Sequence, residues 1–261
     1  MPKKLLLTLA ISLSTGFLLS GCASSANQTT DKSISINYSA AASLKGALTE
    51  LEKNYEKSHP KININFDFTG SGAIREKVLA GAPIDGVFLA SKTDATKLTK
   101  AKKAKDETAV LGNTLVLVAN KKTPSQTEMD LLTTLTSAHK IAIGQPATVP
   151  AGKYAEETMT KLGVFTKLKE KFVMGSDVTQ VLSYAASGNV DLGFVYKTDA
   201  MSNKNVKVLA TIPEKLHSPI TYYTETITET KQTKAVQDFN KYLASPAAQK
   251  VFEKYGFKSV R

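Results

Sequence analysis

Four short stretches of this chain put small or hydroxyl residues where a strand pattern ends and a helix pattern begins. They are Ser39 to Ser43 (SAAAS), Thr69 to Gly72 (TGSG), Val149 to Gly152 (VPAG) and Gly175 to Val178 (GSDV). The first turn of a helix leaves backbone N–H groups without intrahelical acceptors and carries a partial positive charge, so it suits an anion. Small side chains let an oxyanion approach the backbone closely. Ser43 and Ser71 add hydroxyl donors. Any one of these loops alone reads better as plain helix capping. Two in each half of the chain suit an anion gripped from both sides.

Catalytic patterns are thin by comparison. Gly70-Ser71-Gly72 is not the G-x-S-x-G elbow of hydrolases, and it lacks the third glycine of a dinucleotide fingerprint. Gly152-Lys153 is followed by Tyr154, where a P-loop needs Ser or Thr. His59, His139 and His217 lie in polar, turn-like settings and read as surface residues. The chain is therefore expected not to be an enzyme and to need no cofactor. Tyr222-Tyr223 resembles a tyrosinate pair for ferric ion. Between Thr221 and Thr224 it reads better as two strand residues on opposite faces.

Alternating strand and helix patterns must position the loops. Ile34, Ile36 and Tyr38 alternate, and Leu44, Ala47, Leu48, Leu51 and Tyr55 follow a helical stripe. Ile62 to Phe68 alternates, with a helix from Ala73 to Ala80 and strand-like runs at Val87 to Leu89 and Leu115 to Ala119. The second part repeats the theme. Strand runs at Ile141 to Ile143, Phe172 to Met174, Leu192 to Tyr196 and Val206 to Ala210 are interleaved with helix stripes through Met159 and Val181. A strand at Ile220 to Ile227 and two helices end the chain, the last capped by Ser245-Pro246 and Gly256. Such alternation implies an α/β fold with parallel-rich sheets flanked by helices.

The chain has 261 residues, and its N-terminus differs from the rest. Lys3 and Lys4 precede an apolar run from Leu5 to Leu19, shorter than the roughly 20 residues of a spanning helix. Residues 1–21 are expected to be a signal peptide. Leu19-Ser20-Gly21-Cys22 resembles a bacterial lipobox, which implies that Cys22 carries lipid and begins the mature chain. Residues 22–31 then form a polar tether. Cys22 is the single cysteine, so no disulfide staples the folded part. The net charge of +11 arises from lysines spread along the chain, and the densest cluster, Lys97 to Lys105, has no interleaved aromatics. This favours a solvated face near anionic lipid over nucleic-acid binding.

From Ile34 to the C-terminus the chain resembles the molybdate-binding protein of molybdate ABC transporters. The motifs are AAASL (Ala40 to Leu44), Gly70-Ser71-Gly72, AGAP (Ala80 to Pro83), LGNTLVLVA (Leu111 to Ala119), VPAGKYA (Val149 to Ala155), SDV (Ser176 to Val178), GFVYKTDA (Gly193 to Ala200) and KYGF (Lys254 to Phe257). The resemblance implies a two-lobed periplasmic-binding-protein fold of type II kind, with the ligand in a cleft. Residues 32–113 plus 223–261 would form the first lobe and 114–222 the second, with Leu115 to Ala119 and Ile220 to Ile227 crossing between them. It implies that molybdate or tungstate is held by neutral donors: Ala41 and Ser43, Ser71, Ala151, Val178 and the hydroxyl of Tyr196. Ala41, Ala151 and Val178 would act through backbone N–H, and no side chain would ligate a metal directly. It further implies an extracytoplasmic, lipid-anchored monomer that serves an ABC permease and its ATPase. Sulfate, phosphate or ferric ion, or a surface lipoprotein without a transport role, are the alternatives. One departure stands out: IDGVFLASK carries an extra glycine, Gly86, and lacks an acid after Ser91.

Overall fold

The structure is a computed structural model describing residues 33–124 and 130–260. The expected signal, the tether and Cys22 lie outside the described residues. No helix among the described residues is long and apolar enough to cross a membrane.

The first stretch runs β1 (Ile34–Ala41), α1 (Lys45–Ser58), β2 (Ile62–Thr69), α2 (Ser71–Leu79), β3 (Gly86–Leu89), α3 (Lys92–Lys100) and β4 (Ala104–Gly112). The second runs β5 (Leu115–Asn120), α4 (Leu131–Ser137), β6 (Ile141–Gly144), α5 (Pro150–Lys161), α6 (Phe165–Leu168), β7 (Phe172–Gly175), α7 (Val178–Ser187), β8 (Leu192–Tyr196), α8 (Lys197–Ser202) and β9 (Val206–Thr211). The chain ends with β10 (Thr221–Ile227), α9 (Thr233–Leu243), α10 (Pro246–Lys254) and β11 (Lys258–Ser259).

The strands form two sheets, ordered β11-β4-β10-β3-β1-β2 and β7-β6-β8-β5-β9. In the first, β1 pairs in parallel with β2 and β3, because α1 and α2 supply the crossovers that parallel pairing requires. In the second, β6 pairs in parallel with β7 and β8. The remaining pairs are antiparallel, so both sheets are mixed. The α/β architecture expected from the alternation is present. Its parallel core is three strands per sheet, extended on one side by returning strands.

The expected crossing strands differ. β5 pairs only with β8 and β9, and β10 only with β3 and β4, so each stays inside one sheet. The chain passes between sheets in the connections 113–114 and 212–220. A buried strand satisfies its backbone groups along its whole length, and leaving one sheet midway would orphan them.

α1 buries Ala47, Leu48, Leu51 and Tyr55, the stripe its spacing indicates. α10 is capped by Ser245 Oγ, which accepts from Ala248 N at 3.3 Å, with Pro246 at its first turn. α3, α4, α6, α8, β4 and β11 are additions to the expected elements. α3 buries only Asp94, Ala95 and Leu98, and β4 alternates weakly because its middle is exposed. The departure at Gly86 has a steric cause: a Cβ there would stand 2.6 Å from the Tyr38 ring and 2.8 Å from Val236. No acid follows Ser91 directly; Asp94, three residues on, pairs with the buried Arg75 and ties α3 to α2.

Candidate functional site

The loops that end β1, β2 and β3 on one side, and β6 and β7 on the other, converge. They enclose a small cavity of about 10 Å³. All six residues put forward from the sequence line it: Ala41, Ser43, Ser71, Ala151, Val178 and Tyr196. Ala42, Thr69, Gly70, Ala90, Val149, Pro150 and Asp177 complete the wall. No lysine, arginine or histidine is among these residues.

Helix starts supply most of the wall. α2 begins at Ser71 behind Gly70, α5 at Pro150 behind Val149, and α7 at Val178 behind Asp177. Ala151 and Val178 therefore sit in first turns, where backbone N–H groups lack intrahelical acceptors. Pro150 at the start of α5 has no N–H to lose. A Cβ on Gly152 would come 1.8 Å from Gly144 O, so glycine is what lets α5 press its N-terminus onto the end of β6. Asp177 is the acid in the wall. Its Oδ1 accepts from Gln180 N at 2.9 Å, so the carboxylate is engaged by its own helix.

Ser43, Ser71 and Tyr196 bring hydroxyls to the wall. Ser71 is fully buried, and its Oγ accepts from Ala90 N at 2.9 Å, which leaves the hydroxyl hydrogen free to turn elsewhere. Ser43 Oγ lies 2.9 Å from Tyr222 Oη. Tyr196 is 2 % exposed, and its Oη has no hydrogen-bond partner among the described residues. A buried hydroxyl left unpaired costs about 1–3 kcal/mol, and this one belongs to a residue of the cavity wall.

Burial, with Tyr222 as the next influence, holds the Tyr196 phenol well above its ordinary pKa, and it stays a protonated donor. Tyr222 is raised in the same sense, first by burial and then by the nearby Asp199. Asp199 accepts from Tyr196 N at 3.0 Å. Burial raises its carboxyl to about 7, against the lowering effect of that bond.

Gly72 N donates to Thr148 O at 2.9 Å, and Tyr154 Oη reaches Ala90 O at 3.5 Å. Both bonds join the side of the first sheet to the side of the second, and the cavity is shut between them. Outside it, a broad opening is lined by Lys92, Lys97, Lys153, Glu156 and Glu157, and it shares Val149 and Pro150 with the cavity wall.

Two sequence readings change or sharpen here. His217 is buried rather than a surface residue. It packs beside Tyr154 with ring centres 5.7 Å apart, and its Nδ1 lies 2.7 Å from Ser218 O. Tyr222 and Tyr223 do point to opposite faces: Tyr222 reaches Ser43, while Tyr223 lies under Lys92 Nζ at 4.8 Å. They cannot chelate one ion together. Ala90 was absent from the residues put forward, although its signal was present: β3 also ends in small residues just before a helix.

A profile of bacterial extracellular solute-binding proteins matches residues 36–258. The chain belongs to that family. This solute-binding protein is 43% identical over 249 residues to a Bacillus subtilis chain named as an ABC transporter substrate-binding lipoprotein, covering 93% of this chain and 94% of that one. It is 34% identical over 227 residues to the molybdate-binding protein of Haemophilus influenzae, covering 84% and 88%. The structure of the Azotobacter vinelandii periplasmic molybdate-binding protein superposes with a TM-score of 0.78 at 23% identity, covering 87% of this chain and 100% of that one. That structure speaks for the fold, an α/β binding-protein architecture with a cleft.

Proposed function

We propose that this solute-binding protein captures a tetrahedral oxyanion, molybdate or tungstate, in the closed cavity and delivers it to an ABC permease. The observation that carries the reading is the unpartnered, buried Tyr196 hydroxyl in a wall of neutral donors with no cationic side chain. Oriented N–H and O–H dipoles can stabilise a dianion without a counter-ion, and a wall without a free acceptor disfavours anions that carry a proton. The 34% identity to a molybdate-binding protein supports the choice of ligand.

Residues 32–113 with 223–261 and residues 114–222 are the two proposed lobes. The anion is satisfied only by donors from both, so its binding favours the closed state, and the permease reads that closure. Ala41, Ala151 and Val178 donate backbone N–H. Ser43, Ser71 and Tyr196 donate hydroxyl hydrogens. Lipid on Cys22 keeps the monomer at the outer face of the membrane, a role matched by the lipoprotein name of the Bacillus subtilis relative.

Calorimetric titration of the purified chain with molybdate, tungstate, sulfate and phosphate tests this. One site per chain is expected, with molybdate and tungstate bound far more tightly than phosphate. Binding should change little between low and high sodium chloride, because buried neutral donors are poorly screened. Binding that collapses in high salt would point instead to the lysines of the outer opening.

A further inference from the structure

We infer that the edge of the first sheet where its strands begin rests on an anionic phospholipid surface, so that the chain stands on the bilayer with its cavity turned away. This rests on the lipid anchor at Cys22 proposed above.

β1, β2, β3 and β4 all begin at the same edge of the first sheet, since β1 pairs in parallel with β2 and β3, and β10 runs antiparallel to both β3 and β4. The cavity lies at the other edge, where Ala41, Thr69 and Ala90 line it. β1 has eight residues, so the two edges are roughly 25 Å apart. The helices between these strands run back, and α1, α2 and α3 end at the starting edge. A last helical turn favours cations, because its carbonyl groups lack partners. Lys57 stands in the last turn of α1 and Lys100 in that of α3.

The turn from α3 into β4 adds Lys102, Lys103 and Lys105, and the loop after β10 adds Lys231. Lys103 pairs with Glu229 at 2.8 Å. The other five are exposed, and none has an ion pair among the described residues. Glu56, Asp85 and Asp106 share the edge, where they accept from Ile64 N, Asn37 N and Gln237 Nε2, and the lysines outnumber them.

Charge alone does not choose this edge. Lys167 and Lys169, just before β7, are also exposed. The covalent chain decides between the two sheets. Ile34 begins β1 at the lysine-rich edge, and its backbone N donates to Lys61 O at 2.8 Å. Twelve residue steps lead from Cys22 to Ile34, and even fully extended they span no more than roughly 40 Å. An anionic surface attracts each lysine by about fivefold in local equilibrium, and only within a Debye length of about 8 Å. An anchor this close brings the first sheet's edge within that range, whereas the second sheet is joined to the lipid only through the first. Held this way, the cavity edge faces solution, where dissolved anion reaches it.

The test uses the mature, lipid-bearing chain in phosphatidylcholine vesicles with and without phosphatidylglycerol. With lipid on Cys22, the single cysteine, an introduced thiol is the one site for a fluorophore. Thr228→Cys reports on the starting edge of the first sheet, beside Lys103, Thr166→Cys on that of the second, and Thr93→Cys on the outer opening. All three positions are exposed. Quenching by a nitroxide on the lipid headgroups is measured. With phosphatidylglycerol present, quenching at position 228 should exceed that at 166 and 93 several-fold. The excess should vanish on phosphatidylcholine alone and in high salt. It should fall by at least about fivefold when Lys100→Glu, Lys102→Glu and Lys105→Glu are combined, with molybdate affinity unchanged. If that combination melts early, Lys102→Gln with Lys105→Gln reads the same quenching. Equal quenching at 228 and 166, or an excess indifferent to phosphatidylglycerol and to the lysines, overturns the inference. A mature chain whose mass shows no lipid on Cys22 overturns the anchor reading and, with it, the choice of this edge.

Discussion

Gly72 donates its backbone N–H to Thr148 O at 2.9 Å, joining the start of α2 to the loop before α5. The two residues are far apart in sequence and belong to opposite proposed lobes. In a helix first turn this N–H would otherwise be free for an anion. Here it is taken up as a latch between the two sides of the cavity.

The latch makes Gly72 sensitive to a single methyl group. A Cβ there would lie 2.5 Å from Thr148 Cα and 2.9 Å from its carbonyl oxygen, both backbone atoms that cannot swing aside. Gly72→Ala should oppose closure by about 1–3 kcal/mol, lowering anion affinity by about fivefold to a hundredfold while each lobe still folds. Small-angle scattering with saturating molybdate should find the variant more extended than wild type. Equal affinity and an equal radius of gyration would show that closure does not need this contact.

Tyr196→Phe should separate binding from stability. The hydroxyl has no partner among the described residues, so the ligand-free chain loses no bond when it is removed. Its melting temperature should stay level or rise, while molybdate affinity falls about tenfold for a lost bond to a charged ligand. Ser71→Ala should weaken binding similarly but also lower the melting temperature, because Ala90 N loses its acceptor. Val178→Ala, acting through a backbone N–H that remains, should cost only about 1 kcal/mol. Parallel melts and titrations of the three variants give the pattern, and an unaltered affinity in Tyr196→Phe would remove that hydroxyl from the site.

Glu225 sets a pH dependence of stability. Its side chain is fully buried on β10, and neither oxygen has a hydrogen-bond partner among the described residues. Burial, with Glu107 adding and Lys92 opposing, raises its carboxyl from 4.5 to about 8. The folded chain therefore holds a proton that the unfolded chain releases. Its contribution is fully present below pH 4.5 and is lost as the pH rises through about 8. Asp199, raised to about 7, acts in the same direction. Glu225→Gln should flatten the decline, with the stability gap to wild type moving in favour of the variant as pH rises, by of order 5 kcal/mol at most. A gap that does not change with pH would mean that Glu225 ionises normally in the fold.

Lipid attachment is tested at Cys22. Cys22→Ser should leave the chain unprocessed or release it from the membrane fraction, as read by fractionation and by the mass of the mature N-terminus. Normal processing with full membrane retention would argue for another anchor.

The alternation of patterns, the helix starts and the stretch of small residues before each one are local properties, and they were legible in the sequence by itself. So α1 with its stripe, the strands β1, β2, β6, β7 and β8, and the loops carrying Ser43, Ser71, Ala151 and Val178 could be read directly. Ala41, Tyr196 and the choice of anion came from resemblance, since alanine in isolation says nothing about a backbone donor. α3 and β4 escaped because each buries too few apolar residues to impose a period. What only the tertiary structure decided depends on contacts across long sequence separations. Tyr222 meets Ser43 across 179 residues and Asn113 across 109, and Asn113 meets Thr198 across 85. No local pattern encodes which hydroxyls meet. Those meetings are set by how the two sheets pack around the cavity.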